Sequence, residues 1–364
     1  MSIRAIHAAD LHLDSPFEGL EGEKAALRRS ERRCLPERIV RETRERGGDL
    51  LLLSGDLLDS GSIFAQTGET LVSALSQLRI PVFIAPGNHD WYSRRSPYAR
   101  LAFPDNVHIF TRPALECCEL PALGVRVWGA GYASNACPPL LRDFRNPGRE
   151  GWTDILVLHA ELGRKDSPYC PVTEEELDCG GFDYAALGHI HSCSGPRRAG
   201  RCTYAWPGCP EGRGFDECGP KGVIQADISP GKTELAFIPL GGREYRKLTV
   251  EAGEDALSAV ETVLPEDAKR HIYRIILSGE CVEAPDLPYL RQALGGRAFQ
   301  LQLIDETRPA RDIWERAGED TLTGVFLRRM RSRLDAAADD DERGLVLDAV
   351  RLGLAALEGR ELRL

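Results

Sequence analysis

Five short stretches of this 364-residue chain put histidine, aspartate and asparagine where metal chemistry would need them. Pro86-Gly87-Asn88-His89-Asp90 follows the apolar run Val82-Phe83-Ile84-Ala85. A buried strand should end sharply at the Pro-Gly pair and present an amide oxygen, an imidazole and a carboxylate within three residues. Asp10-Leu11-His12 follows the run Ile3 to Ala8, and Ser54-Gly55-Asp56-Leu57-Leu58-Asp59 follows Leu50 to Leu53. His159 closes Ile155 to Leu158, and Gly188-His189-Ile190-His191 closes Tyr184 to Leu187. One histidine of this kind is usually a polar loop residue. His12, His89, His159, His189 and His191 together with Asp10, Asp56 and Asn88 form a set, and the set points to a metal site. The remaining histidines, His7, His108 and His271, are read as structural.

The donor types narrow the chemistry. Imidazole nitrogens and carboxylate oxygens suit manganese, iron or zinc, and an amide oxygen adds a ligand without adding charge. Two cations about 3.5–4 Å apart repel each other and need a carboxylate between them. Asp56 is the candidate bridge. Such a pair clamps a phosphate, acidifies a water and stabilises a leaving oxygen.

The elements that must position these residues alternate. Ile3 to Ala8, Leu50 to Leu53 and the run before Asn88 read as buried strands, the second too continuously apolar to have a wet face. Between them, Glu23 to Arg46 reads as a charged helical region with Leu27, Leu35, Ile39 and Val40 on its apolar side, kinked or split at Pro36. Phe64 to Leu78 reads as a helix with Leu71, Leu75 and Leu78 on one stripe. This alternation predicts an α/β (α+β sandwich) fold with its site at the carboxyl ends of the strands. Further strands are expected at Val107 to Phe110, Val125 to Trp128, Ile155 to Leu158, Tyr184 to Leu187, Thr203 to Trp206, Val223 to Ile228 and Leu235 to Ile238. With little helix among the last of these, a second sheet is expected there, packed on the first. Composition shifts after Gly241-Gly242. The expected domains are a phosphoesterase core over 1–242, a small α/β cap over 243–306 and a C-terminal helical segment over 307–364. In the cap, strands are expected at Leu248 to Val250, Ile272 to Leu277 and Phe299 to Ile304, and helices at Asp255 to Val263 and Leu287 to Leu294.

Composition bounds the rest. A hydrophobic fraction of 42% and a charged fraction of 28% are those of an ordinary soluble protein. There is no apolar run of about 18 residues to span a membrane. The first residues lead straight into a strand pattern, unlike a secretory signal. Eleven cysteines without framework spacing fit reduced thiols, so a cytoplasmic location is expected. The net charge of −10 weakens, without excluding, a nucleic-acid substrate.

Asp10-x-His12, Gly55-Asp56-x-x-Asp59, Gly87-Asn88-His89-Asp90, His159 and Gly188-His189-x-His191 resemble, in order, the motifs of the calcineurin-like metallophosphoesterases. They span the first two-thirds of the chain. Ser96-Pro97-Tyr98, Asn106-Val107, Asp166-Ser167-Pro168-Tyr169 and Trp206-Pro207-Gly208-Cys209-Pro210-Glu211 make it more similar to DNA repair exonucleases of the SbcD and YhaO type. The resemblance implies that Asp10, His12, Asp56 and His191 hold one metal, and Asp56, Asn88, His159 and His189 the other, both typically Mn2+. It implies that His89 meets the scissile phosphate as acid or orienting group. Some relatives carry histidine where Asp59 stands; Asp59 is catalytic or else hydrogen-bonds a metal ligand. It also implies a DNA substrate and a coiled-coil, SMC-like ATPase partner, with a homodimer as another assembly to consider.

Other residues have two readings each. Arg94 and Arg95, and Arg197, Arg198 and Arg201, could meet DNA phosphates or be ordinary surface arginines. Trp91 and Tyr92 could stack on a base or pack in the core. Cys193, Cys202, Cys209 and Cys218 lack any Cys-x-x-Cys pair expected of a zinc site. Vicinal Cys117-Cys118 fits a strand, facing opposite sides.

The expected function is a manganese-dependent DNA exonuclease or endonuclease in repair. The alternatives are a small-substrate phosphodiesterase or phosphatase with the same metals, and a non-catalytic scaffold subunit. In the tail, Asp320 is expected to cap a helix carrying Leu322, Val325, Phe326, Met330 and Leu334. After the acidic break Asp339 to Glu342, a second helix carries Leu345, Leu347, Val350, Leu352, Leu354 and Leu357. Either the two helices pack on each other, or one apolar face receives a partner helix.

Overall fold

The structure, a computed structural model, describes residues 2–17, 19–281, 284–309 and 311–358. It divides into two compact units, 1–244 and 245–364. The last residues of the expected helical segment, 359–364, lie outside the described residues.

The first unit runs β1 (Ile3–Ala8), α1 (Gly22–Arg33), α2 (Leu35–Glu45), β2 (Leu50–Leu53), α3 (Ala65–Leu75), β3 (Val82–Ile84), α4 (Pro97–Arg100), β4 (Val107–Ile109), β5 (Glu116–Leu120), β6 (Val125–Gly129) and β7 (Thr153–His159). It continues with α5 (Glu174–Cys179), β8 (Tyr184–Gly188), β9 (Arg197–Ala199), β10 (Cys202–Ala205), β11 (Gly222–Ser229) and β12 (Lys232–Pro239). One six-stranded sheet has the order β12-β11-β1-β2-β3-β4, the other β5-β6-β7-β8-β10-β9. Strands β1 to β4 are mutually parallel in the first sheet, as are β6, β7, β8 and β10 in the second.

The two sheets pack face to face because their inner strands, such as β2, β3, β7 and β8, are buried on both sides. Leu50 and Leu52 point between the sheets with Ile3, Ala5, Phe83, Val127, Ile155 and Val157. Leu51 and Leu53 point the other way, onto Leu35, Ile39 and Val40 of α2 and Leu71 and Leu75 of α3. The second sheet buries its outer face beneath Leu177, Phe182 and Trp206. Side chains alternate along a strand, so an unbroken apolar run is what a doubly covered strand requires.

Three expectations need correcting. The hairpin β11–β12 does not belong to the second sheet. It returns to the first, with β11 antiparallel to β1. Alternation shows that a segment is a strand but carries no label for its neighbour, so the second sheet begins at β5 instead. Leu27 does not face the core either. It is 47% exposed, and α1 buries Ala25, Arg28 and Arg32. Arg32 donates to the carbonyls of Leu11 and Glu211 (2.6 Å for the latter), and Arg28 pairs with the Glu211 carboxylate at 2.6 Å. Paired guanidinium groups thus occupy the place where an apolar stripe was expected. The third correction is the cap of the first tail helix, described below. The Pro36 expectation holds: the helix splits at Cys34, and Pro36 sits in the first turn of α2, where its missing N–H costs nothing.

The second unit contains β13 (Tyr245–Glu251), α6 (Ala256–Val263), β14 (Ile272–Ser278), β15 (Glu280–Cys281), α7 (Leu287–Ala293), β16 (Gln300–Asp305), β17 (Arg308–Pro309), α8 (Leu322–Ala336) and α9 (Asp340–Leu357). Strands β13, β14 and β16 form a parallel sheet covered by α6 and α7. Leu327 and Met330 of α8 pack with Val350 and Leu354 of α9. Arg351 ties α9 to Asp305 at 3.6 Å. The cap of α8 is Thr321 rather than Asp320: its hydroxyl accepts from Gly324 N at 3.1 Å. Asp339 caps α9, and the acidic break becomes the first turn of that helix, where negative charge suits the helix dipole.

Leu52, wholly buried between the sheets, and Leu322, 71% exposed, make a contrasting pair. Leu52→Ala should cost about 2–5 kcal/mol in urea unfolding, and Leu322→Ala no more than about 0.5 kcal/mol. Equal losses would contradict the packing described.

Candidate metal centre

The parallel strands of both sheets deliver their polar termini to one edge. Asp10 and His12 follow β1, Asp56 follows β2, Asn88 and His89 follow β3, His159 ends β7, and His189 and His191 follow β8. Sharp local backbone makes this convergence possible. Asp10 (φ 55), His12 (φ 41), Asp56 (φ 48) and His189 (φ 100) all hold positive φ, a conformation a side chain accepts only when its surroundings enforce it. The surroundings are specific. Asp10 N donates to Gly55 O at 3.0 Å and His12 N to Asp56 O at 2.9 Å, locking the first two loops together. His189 N donates to the Asp10 carboxylate at 3.1 Å.

Asp90 ties the third loop to the second. Its buried carboxylate accepts from Gly87 N (2.7 Å), Leu57 N (2.7 Å), Leu58 N (3.1 Å) and the Tyr98 hydroxyl (2.5 Å). The loops approach so closely that a Cβ at Gly87 would overlap the Asp56 carboxylate, and one at Gly188 the Ser54 carbonyl.

The imidazoles identify what the cluster is built to receive. His159 Nδ1 lies 2.9 Å from the Ser54 carbonyl, which can only accept, so Nδ1 carries a proton and Nε2 is the nitrogen left to bind a cation. That Nε2 faces Asn88 Oδ1 (3.0 Å), Asp56 Oδ2 (3.3 Å) and His189 Nδ1 (3.3 Å). His12 Nδ1 donates to Asp59 Oδ1 at 3.1 Å, and His191 Nδ1 to Glu217 Oε1 at 2.6 Å. Their two Nε2 lone pairs then meet at 3.3 Å. Asp56 Oδ2 stands 3.7 Å from His12 Nε2, and Asp10 Oδ1 3.8 Å from His191 Nε2. Acceptors facing acceptors repel unless something positive lies among them. Asp10-His12-His191, His12-Asp56-His89 and Asp10-Asp56-His159 each bring their ligand atoms within 4.8 Å of one another. The donor set therefore fits divalent cations.

Titration follows the same logic. Burial pushes the Asp10 carboxyl up to about 6, against the pull of His159 and His191. Burial would raise Asp56 as well, but His159 and His12 hold it well below the ordinary carboxylate range. Burial opposes charge on His159, yet Asp56 and Asp10 hold its imidazole up to about 9. Burial pushes His12 and His189 down to about 4. Without a cation, the carboxylates of Asp56 and Asp10 favour a second ring proton on His159, at the Nε2 that faces Asp56.

The other expected residues divide. His89 is exposed at the lip, its ring 4.8 Å from that of His12, its backbone N–H donating to Asp56 Oδ1 at 2.9 Å. Asp59 is a partner of His12. Arg94 and Arg95 are exposed beyond the third loop. Arg197 and Arg198 lie on the edge strand β9, whereas Arg201 pairs with Asp183 at 2.6 Å. Trp91 and Tyr92 are half-buried against the outer cores of the second and first sheets. Cys193, Cys202, Cys209 and Cys218 form no metal-holding group among the described residues. His7 sits fully buried between Tyr184 and Ser54, as a structural histidine should. Sequence reasoning missed Arg213 and Glu217 as parts of the site, and it expected the Asp90 carboxylate at the turn without its role of tying the second and third loops. Glu217 lies 26 residues from the histidine it holds, and nothing local marks it.

A family profile described as calcineurin-like phosphoesterase matches residues 3–193, more than half of the chain. Among curated relatives, the uncharacterized metallophosphoesterase YhaO of Bacillus subtilis is 31% identical over 261 residues, covering 68% of this chain and 63% of that protein. The DNA double-strand break repair protein Mre11 of Methanopyrus kandleri is 24% identical, covering 77% and 64%. SbcD, a component of the nuclease SbcCD of Bacillus subtilis, is 25% identical, covering 63% and 67%. The match to YhaO and to this Mre11 thus spans a little under two thirds of their own length. With the acceptor cluster at the strand ends and the profile match across it, the chain belongs to the calcineurin-like phosphoesterase family, hydrolases that act on phosphoester bonds with divalent metal ions.

Proposed function

We propose that this protein is a manganese-dependent DNA nuclease of repair, cleaving phosphodiester bonds at a two-metal site in the 1–242 region. The observation that carries the reading is the buried Asp56 carboxylate, with Nε2 of His12 and Nε2 of His159 both facing its Oδ2, at 3.7 and 3.3 Å. Asp10, His12, Asp56 and His191 would hold one ion, and Asp56, Asn88, His159 and His189 the other. Bound there, the pair would supply Lewis-acid charge to a phosphate and lower the pKa of a water. The chain's own groups do the rest. His89, exposed above Asp56, is placed to meet the phosphate and protonate or orient the leaving oxygen. Asp59 keeps the His12 Nε2 lone pair directed inward. Arg94 and Arg95, exposed next to the third loop, would meet flanking phosphates. Relatives named for DNA break repair and for a nuclease support DNA as the substrate over a small phosphodiester. Three groups of histidine and aspartate spaced to hold a metal ion argue against a scaffold role.

The relative named as one component of a larger nuclease supports a partner, for which we take an SMC-like ATPase docking on the C-terminal helices. Leu322, Val325, Leu345, Leu352 and Leu357 are exposed there. No described helix is long and apolar enough to cross a membrane.

Labelled duplex DNA and a chromogenic phosphodiester, each with and without Mn2+, test the reading. Hydrolysis of the small ester alone would favour the small-substrate alternative. Asp56→Asn removes the charge shared by both positions, and elemental analysis should find clearly fewer than two ions; two retained ions would place the bridge elsewhere. His89→Ala should keep both ions and lose about 10²–10⁴-fold in hydrolysis, the range for a lost acid–base group. Loss of metal with turnover restored by excess Mn2+ would make His89 a ligand instead. Leu322→Asp with Leu345→Asp should leave hydrolysis of the small ester intact and abolish co-purification with a co-expressed SMC-like ATPase. Unchanged co-purification would show that these helices do not dock it.

A further inference from the structure

Behind the lone pairs of His12 and His191 the protein builds a continuous chain of charged hydrogen bonds. His12 Nδ1 meets Asp59 Oδ1 at 3.1 Å, and Arg213 Nη1 meets the same oxygen at 3.4 Å. Arg213 Nη2 meets Glu217 Oε1 at 3.0 Å, and that oxygen accepts from His191 Nδ1 at 2.6 Å. Arg213 N also donates to Glu217 Oε2 at 2.7 Å. Arg213 Nη2 lies 3.1 Å from His191 Nδ1 because both groups converge on one carboxylate oxygen. The assembly is sheltered: the side-chain exposures of Arg213, Asp59 and Glu217 are 21%, 22% and 4%. Its loop is anchored, since Glu211 holds Arg28 and Arg38 through its carboxylate and Arg32 through its carbonyl.

Among the described residues, the other half of the centre has no charged frame of this kind behind its ligands. His159 is oriented by the Ser54 carbonyl. His189 is half-buried beside the Tyr169 ring, and its Nε2 has no hydrogen-bond partner among the described residues. Ordering a side chain on binding costs free energy that a braced side chain has already given up.

We propose that Arg213 is a positioning residue which, by joining Asp59 to Glu217, braces His12 and His191 so that their metal position fills before that of Asn88, His159 and His189. The inference rests on the two-metal reading above. Its sign is informative. A guanidinium near a cation repels it, so if Arg213 acted only through its charge, removing it would tighten binding. As a brace, its removal loosens binding. Lysine keeps the charge but is a point donor and cannot span two carboxylates as a planar fork does.

The test is calorimetric titration of the metal-free full chain with MnCl2, with thermal unfolding of each metal-free variant as the control for folding. The wild type should show a tight and a weaker step, and His189→Ala should remove the weaker one. Arg213→Met should weaken the tight step by about 10–100-fold, the usual cost of losing a partner of a metal ligand, and leave the weaker step within about threefold. Arg213→Lys should also weaken it. An unchanged or tighter first step in Arg213→Met overturns the proposal, as does equal weakening of both steps, or loss of the tight step in His189→Ala. If Arg213→Met does not fold, Glu217→Gln keeps an acceptor for His191 but breaks the ion pair; a tight step unchanged there overturns the brace. A wild type that binds fewer than two ions fails the two-metal reading itself, which a wild type with two ions and an unaffected Arg213→Met does not.

Discussion

The Asp56 carboxylate is the point on which the first unit closes. It sits at the end of β2, almost wholly buried. One oxygen accepts from the backbone of the β3 loop, and the other faces imidazoles from the β1 loop and from β7 of the opposite sheet. A buried charge so placed is costly unless it is compensated, and the compensation comes from both sheets at once. The two layers are held in register at this edge by polar groups, while the interior between them is apolar.

The register is reinforced just behind the centre. His7 of β1 meets the Tyr184 hydroxyl of β8 at 2.8 Å and the Ser54 hydroxyl at 3.0 Å. Ser54 in turn offers its carbonyl to His159 and its hydroxyl to the carbonyl of Ala186. A short chain of satisfied hydrogen bonds therefore runs from the inter-sheet core to the ring of His159. Satisfied buried networks of this kind specify one arrangement, because every alternative leaves a polar group unpaired. The left-handed backbone at Asp10, His12, Asp56 and His189 is sustained by the same surroundings.

Around the centre, charge is organised by pairing. Arginines fill places that apolar residues would fill in a simpler helix, as Arg28 and Arg32 do in α1. Their partners, Glu211 and the carbonyl of Leu11, belong to the loops that carry site residues. A net charge of −10 thus coexists with a shell of ion-paired arginines behind the candidate metal centre.

Much of this was readable in the chain itself. The apolar runs before Asp10, Asp56, Asn88, His159 and His189 specify strands, because a doubly covered strand must be apolar on both faces. The polar residues that end those runs specify the chemistry, because parallel strands deliver their carboxyl ends to one side. The split at Pro36 and the helical stripe of Leu71, Leu75 and Leu78 followed from local stereochemistry. What the chain could not show is who neighbours whom. The hairpin β11–β12 pairs with β1, where β11 buries Val223, Ile224, Ala226 and Ile228, and Leu27 faces outward because Arg28 and Arg32 find partners far away in the chain. The brace of Asp59, Arg213 and Glu217 was likewise invisible, since its members come together only when the loop after Trp206 folds back on the centre. Periodicity and turn chemistry are local properties of a sequence. Pairing partners, and the hydrogen bonds that orient a ligand's second nitrogen, are decided by contacts that exist only in the folded chain.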